Sequence, residues 1–388
     1  MESLRRRAAC GISKRLKKRA SNSSFLYVGE RRCEAKVYRD FHFRCACRSS
    51  SVIAFARALT SCILTNDRLI KGITVGGPRM KPRIGMVGLG SIAQKAYLPI
   101  LTKETNWTFV GAYTPNAQKR EQICKQYRIK PFENLQSLSD ACDAVFVHSS
   151  TNTHFEIVSH LLREGLDVYV DKPLAETTEQ AEELVRLSET LGRKLMVGFN
   201  RRFSPMYVKL KELVKQQDSA WINLEKHRLD SSHDSHSYEH ILLDDYLHLV
   251  DTVRWLADGE ITFENGFIKL TDSKLAHTKQ QFLSAQNILL TSSMHRGAGT
   301  NLEQIELITE GAVYRVKNMN HFESEMNNQV TNSSSGSWET TLEQKGFAQA
   351  IGHFIQCLIE DQMPTVSARE GLASQKLLEE LIENSRKL

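Results

Sequence analysis

The chain has 388 residues, 41% of them apolar, 8 cysteines and a formal net charge of +6. The positive balance comes entirely from residues 1–79, which hold 18 Lys/Arg against 5 Asp/Glu, while residues 80–388 hold 33 against 40. Total charge is therefore no argument for nucleic-acid binding, and that function class is set aside.

The leading segment lacks a run long enough to build a core. LRRRAACGISKRLKKRA, residues 4–20, could form a basic amphipathic helix of the kind found in organellar transit peptides. SVIAFARALTSCIL is 14 residues long and contains Arg57, too short and too charged to cross a membrane. Cys10, Cys33, Cys45, Cys47 and Cys62 fall here, and Cys45 and Cys47 have no partner pair at zinc-finger spacing. The segment reads as disordered or untranslated, with Met80 as the true start. Cys124, Cys142 and Cys357 are widely separated and read as reduced, cytoplasmic thiols.

RIGMV, residues 83–87, is a short apolar run, predicted as a buried strand. GLGSIA follows, a G-x-G-x-x-A turn leading into a helix that opens at about Ser91. Gly88 permits the tight turn, Gly90 admits a pyrophosphate to the backbone, and Ala93 lets the helix pack against the strand. Free N–H groups at Ser91 and Ile92, with the positive end of the helix dipole, would hold the phosphates. WTFVGAY, 107–113, and DAVFVHSS, 143–150, supply further strands. Where the second strand ends, the usual ribose-gripping carboxylate is replaced by Thr114. With Lys119 or Arg120 in reach of a 2′-phosphate, this favours NADP over NAD, both remaining open.

Phe155, Val158, Leu161 and Leu162 recur at helical spacing, and Gly165 closes that helix. Residues 167–170 give a short strand ending in Asp171-Lys172-Pro173, where a cis bond before proline is one possibility. Thr177-x-x-Gln180 is a capping box for the helix running to Gly192. A lysine at a strand's carboxyl end, where open α/β sheets bind ligands, is placed to reach nicotinamide and substrate. Asn200-Arg201-Arg202 stands at another strand end, and Arg201 or Arg202 could meet an anionic group.

HRLDSSHDSHSYEH, 227–240, invites a metal reading, but His233, Asp234 and His236 lack a fixed ligand spacing. A substrate-facing loop, with His233, His236 or Tyr238 as polar contacts, is the better reading. In ILLDDYLHLVDTVRWLAD, 241–258, Leu242, Tyr246, Leu249, Val253 and Leu256 form an apolar side that Leu243, Leu247 and Val250 widen. Asp244, His248 and Asp251 fall opposite at i, i+4 and i+7, extended by Trp255, so that Asp244 would hold the His248 ring and favour its protonated form. The polar run NNQVTNSSSGS, 327–337, reads as a loop.

RIGMVGLGSIAQKAYLP, SSTNTHFEIV, VYVDKPLAE, MVGFNRRFSP and LLDDYLHLVDTVRWL together resemble the Gfo/Idh/MocA oxidoreductases, over essentially residues 80–388. The resemblance implies an α/β protein: a Rossmann domain over 80–199, and over 200–388 a C-terminal α/β domain with an open, mostly antiparallel sheet. That sheet commonly forms the interface of a homodimer or homotetramer, and the last helix can pack back on the first domain. The family's Glu-Lys-Pro falls on Asp171, Lys172 and Pro173. Its Asp-x-Gly-x-His-x-x-Asp falls on residues 244–251, with Tyr246 in place of glycine and expected to narrow the substrate space. Thr151-Asn152 stands where Pro-Asn is common, placing Ser150, Asn152 and His154 near the cofactor ribose.

The expected function is hydride transfer between NAD or NADP and a small alcohol or carbonyl, a sugar or polyol, with no nucleic acid or membrane involved. Lys172, His248 and Asp244 are the expected catalytic residues. His248 would exchange the hydroxyl proton, Lys172 would hydrogen-bond that oxygen, and Asp244 would orient the pair. Two other readings share the fold: cleavage of a glycosidic bond by transient oxidation, and a non-catalytic cofactor-binding sensor.

Overall fold

The computed structural model describes residues 25–28, 31–34, 81–217, 219–229 and 236–388. The chain divides into two compact units, Met1–Pro78 and Arg79–Leu388. In the first, Phe25–Val28 pairs antiparallel with Arg31–Glu34, the strand that contains Cys33. The expected helix at 4–20, the apolar run at 51–64, Cys10, Cys45, Cys47, Cys62, Met80, His233 and Asp234 lie outside the described residues.

The second unit begins with a parallel sheet. Its strands are β1 (Arg83–Val87), β2 (Thr108–Tyr113), β3 (Ala144–Val147), β4 (Asp167–Val170) and β5 (Leu195–Val197). They lie in the order β2-β1-β3-β4-β5. Strands β1, β3 and β4 are short, nearly continuous apolar runs because both faces of such a sheet are covered. The connections include α1 (Leu98–Leu101), α2 (Ala117–Tyr127), α3 (Leu135–Ser139), α4 (His154–Arg163) and α5 (Thr178–Leu191). Asn116, Asn134 and Thr177 cap α2, α3 and α5 by accepting backbone N–H bonds. Gly165 (φ +80°) and Gly192 (φ +61°) end α4 and α5 in the left-handed region.

After α6 (Pro205–Val214) and β6 (Trp221–Leu229), a helical segment runs through α7 (Tyr238–Ile241), a π-helical turn at Leu242–Tyr246, and α8 (Leu247–Leu256). Seven further strands follow: β7 (Ile261–Thr271), β8 (Lys274–Ser284), β9 (Leu289–Ala298), β10 (Leu302–Thr309), β11 (Ala312–Lys317), β12 (His321–Met326) and β13 (Gln329–Ser334). The chain ends in α9 (Thr341–Gln344), α10 (Phe347–Glu360), α11 (Ala368–Asn384) and β14 (Arg386–Lys387). The second sheet has nine strands in the order β13-β12-β11-β10-β6-β9-β8-β7-β14. Only the β6/β9 and β7/β14 pairings within it are parallel.

Along β6, Ile222, Leu224 and Lys226 are buried while Trp221, Asn223, Glu225 and His227 are not, a period of two that turns one face of the sheet toward α8. Residues 329–334, expected as part of a loop, form an edge strand instead. Their polarity reflects exposure at every position, with one side bonded to β12. Helix α11 packs on α5 and β5, and Val366 accepts a bond from the Val197 N–H at the sheet's edge.

Candidate functional site

The turn after β1 is shaped by its glycines in two different ways. Gly88 has φ +90°, and a Cβ there would lie 2.4 Å from the backbone of His148, so the fold itself demands glycine. Its N–H donates to the Tyr113 carbonyl. Gly90 is not demanded by packing: a Cβ would meet only the His148 carbonyl oxygen at 4.0 Å. The space left open over Gly90 is where a pyrophosphate would approach the backbone. The chain is helical from Ser91, widens into a π-helical turn at Ala93–Tyr97, and buries Ala93 against the sheet. Ile92 lines the cleft that opens above this turn. These residues fit a bound dinucleotide.

Thr114 follows β2, with no carboxylate beside it. The Arg120 guanidinium donates to the Thr114 carbonyl at 2.9 Å, and its Nε is enclosed without a hydrogen-bond partner. Lys119 is exposed. Beyond β3, Ser150 and His154 line the cleft, while Asn152 stands in an adjoining groove with Ser150, Glu176 and Asp244. The His154 ring is buried between the Pro173 carbonyl at 2.9 Å and the Ser149 carbonyl at 3.2 Å. It therefore ties the loop after β3 to the loop after β4, and burial lowers its pKa.

At the end of β4, Asp171 accepts the Lys172 backbone N–H. Burial would raise the Asp171 pKa, but the adjacent His148 ring holds the carboxyl below its usual range. The bond between Lys172 and Pro173 is cis. Lys172 Nζ reaches across to α7–α8, donating to the Asp244 carboxylate at 2.5 Å and to the Asp244 carbonyl at 2.6 Å. His248 lines the same cleft, with Nδ1 enclosed and without a hydrogen-bond partner. Lys172, Asp244, His248, Asp171, Ser150 and Ile92 thus share one cleft of ≈ 830 Å³.

The helical segment around the π-helical turn at Leu242–Tyr246 departs from four expectations. Its extra residue shifts the helical phase, and Asp244 faces Lys172 from an exposed position rather than holding the His248 ring. Tyr246 points away from the cleft, fully buried, with its hydroxyl donating to the Ser292 carbonyl. It does not narrow the substrate space. Asp251 is also fully buried and accepts from Arg202 at 2.7 and 2.9 Å and from Ser374 at 2.8 Å, a packing role. His248, finally, is not biased toward protonation. Burial first, then the positive charges of Arg201, Lys172, Lys226 and Arg228, push its pKa well below the usual value.

Sequence reasoning missed most of the wall formed by β6, β9 and β10. Lys226 and Arg228 on β6, with Arg296 on β9, all pair with Asp245, whose carboxyl is held low against the pull of burial. Lys226 is itself lowered to about 8, chiefly by burial and then by Arg201. Arg201 forms a two-pronged bond to Glu303 at 2.6 and 2.7 Å, and Tyr207 donates to the same carboxylate at 3.1 Å. Of the two arginines singled out in sequence, Arg201 therefore lines the cleft, whereas Arg202 is buried between Asp251 and Glu370. The alternation that puts Lys226 and Arg228 in step with Ile222 and Leu224 along β6 is the signal that could have found them. His236 and Tyr238 do not line the main cleft, and no metal-holding group of His, Cys, Asp or Glu occurs among the described residues.

Residues 82–199 match the model of an oxidoreductase family with an NAD-binding Rossmann fold, and residues 205–327 match a YceM-like C-terminal domain. The YceM protein of Salmonella typhimurium is 42% identical over 299 residues, covering 77% of this chain and 96% of that protein. An inositol 2-dehydrogenase/D-chiro-inositol 3-dehydrogenase of Halalkalibacterium halodurans is 27% identical, over 52% of this chain and 60% of its own length. The crystal structure of the dehydrogenase MviM from Clostridium difficile superposes with a TM-score of 0.75 at 46% identity, covering 78% of this chain and 99% of that one.

Proposed function

The chain belongs to the Gfo/Idh/MocA oxidoreductase family, and from that premise we propose that it transfers hydride between a nicotinamide dinucleotide and a small sugar, polyol or related alcohol or carbonyl. The observation that carries this reading is the meeting of Lys172 and His248 in one cleft at the mouth of the glycine turn. Gly88, Gly90, Ser91 and Ile92 would hold the diphosphate, with Ala93 packing their helix close; Ser150, Asn152, His154 and Asp171 shape the adjoining wall. When bound, the cofactor supplies the two-electron acceptor or donor. NADP is the proposed form, since Thr114 offers no carboxylate to a 2′-hydroxyl and Arg120 stands beside it.

His248, neutral in the surrounding positive field, accepts the substrate hydroxyl proton. Lys172 donates a hydrogen bond to the same oxygen and stabilises the charge that develops there. Asp244 positions the Lys172 ammonium through two contacts. The inositol dehydrogenases among the relatives support a polyhydroxylated substrate. The buried thiols of Cys124, Cys142 and Cys357 support a cytoplasmic setting. Exposed Trp221, Leu283 and Val330 on the nine-stranded sheet support homo-oligomers, dimers or tetramers, formed through it.

The test is His248→Ala, assayed for turnover and titrated calorimetrically with NAD and NADP. Turnover should fall about 10²–10⁴-fold, with cofactor affinity within a few-fold of wild type and NADP the tighter ligand. A collapse of cofactor affinity would remove His248 from the catalytic role.

A further inference from the structure

We infer that the molecule transformed in this cleft carries an oxyanion, a carboxylate or a phosphate ester, seated on Arg228 and Lys226. The inference rests on the oxidoreductase reading of the cleft and adds the charge of its substrate.

The charged side chains that line the cleft do not balance one another. Lys95, Lys172, Arg201, Lys226, Arg228 and Lys345 line the cleft, against the carboxylates of Asp171, Asp244, Asp245 and Glu303. Each of those carboxylates is already engaged. Asp171 takes the Lys172 backbone N–H beside the His148 ring, Asp244 takes the Lys172 ammonium, Glu303 takes Arg201 and the Tyr207 hydroxyl, and Asp245 takes Lys226, Arg228 and Arg296 together. Lys226 and Arg228, both lining the cleft, share the one carboxylate of Asp245, which leaves a local surplus of positive charge, and His248 adds no counter-charge. Burial of unbalanced charge is costly, so a compensating anion is expected from outside the protein.

The dinucleotide does not supply that anion. Its phosphates are met by the turn at 88–92 on the parallel sheet, whereas Lys226 and Arg228 stand on β6 of the other sheet. Arg228 is also the accessible member: its side chain is 39% exposed, against 4% for Lys226. Nε and one terminal nitrogen of Arg228 bond to Asp245, which leaves N–H donors of the planar fork for a second oxyanion. A neutral polyol fits this wall less well, because Glu303 and Asp245 are committed to cations and a neutral hydroxyl offsets none of the remaining positive charge.

The experiment uses the full chain saturated with cofactor, so that the glycine turn is filled. Inorganic phosphate and malonate, with glycerol as the neutral control, are titrated by calorimetry into wild type, Arg228→Gln and Arg228→Lys. Both anions should bind saturably and glycerol should not. Arg228→Gln should weaken anion binding at least about tenfold, and Arg228→Lys should restore part of it. The Lys variant, which keeps the charge, covers the case in which the Gln variant misfolds. Anion binding that is absent, or unchanged in either variant, overturns the proposal.

A second arm separates this inference from the oxidoreductase reading. Glucitol, gluconate and glucitol 6-phosphate are compared as substrates and as ligands. Turnover or binding that favours gluconate or the phosphate ester supports the inference and tells the two oxyanions apart. Equal or better use of glucitol overturns it. If none of the three is turned over while phosphate and malonate still bind through Arg228, the anion site stands and the redox assignment is what fails.

Discussion

His248 sits in a field that its own helix does not create. The charges that depress its pKa come from Arg201, from Lys172 at the end of β4, and from Lys226 and Arg228 on β6. Its proton-accepting form therefore persists to lower pH than in a free imidazole. The acid limb of kcat/KM for alcohol oxidation should lie below about pH 6.5; a limb above that value would point to another base. The sign for stability follows from the same shift. Below about pH 6.5 the unfolded imidazole binds a proton that the folded one refuses, so His248 weakens the fold as pH falls toward its depressed pKa. Lys172 and His248 were legible from strand-end and helix positions. The partner of Asp244 was not, because a uniform 100° wheel assumes an uninterrupted α-helix, and nothing in LLDDY announces the π-helical turn that rotates Asp244 outward and Asp245 into the cation cluster.

At the scale of elements, the strand–turn–helix after β1 separates two requirements that a sequence pattern merges. Gly88→Ala places a Cβ 2.4 Å from backbone atoms at a residue with φ +90°, and should sharply lower soluble yield and the thermal midpoint. Gly90→Ala meets nothing closer than 4.0 Å and should leave the melting temperature of the free protein nearly unchanged. Its effect should appear as loss of the thermal stabilisation expected of wild type on adding NAD or NADP. Equal damage from both substitutions would show that Gly90, too, is a packing glycine. The parallel strands were readable because burial on both faces leaves unbroken apolar runs. Strand β13 was not, since QVTNSS is exposed at every position and carries no alternation.

Across the whole molecule, the Arg202–Asp251 pair is buried where helices α8 and α11 meet, joined by Ser374, Glu370 and Arg254. Asp251→Ala would leave Arg202 enclosed with only Glu370 for balance, and should cost about 3–5 kcal/mol in urea unfolding. The Lys172–Asp244 pair, whose carboxylate is exposed, sets the contrast: Asp244→Ala should change stability by less than about 1 kcal/mol while lowering turnover. If Asp251→Ala proved as mild as Asp244→Ala, the network would be ornamental.

The carboxyl-terminal stretch fastens to both sheets. Val366 caps the edge of β5, α11 covers it, and Arg386–Lys387 lies along β7. During synthesis the parallel sheet therefore waits with an unfinished border until residue 366 has left the ribosomal tunnel. A chain stopped short of residue 366 should therefore lack closing contacts of both sheets, Val366 and helix α11 on one and Arg386–Lys387 on the other.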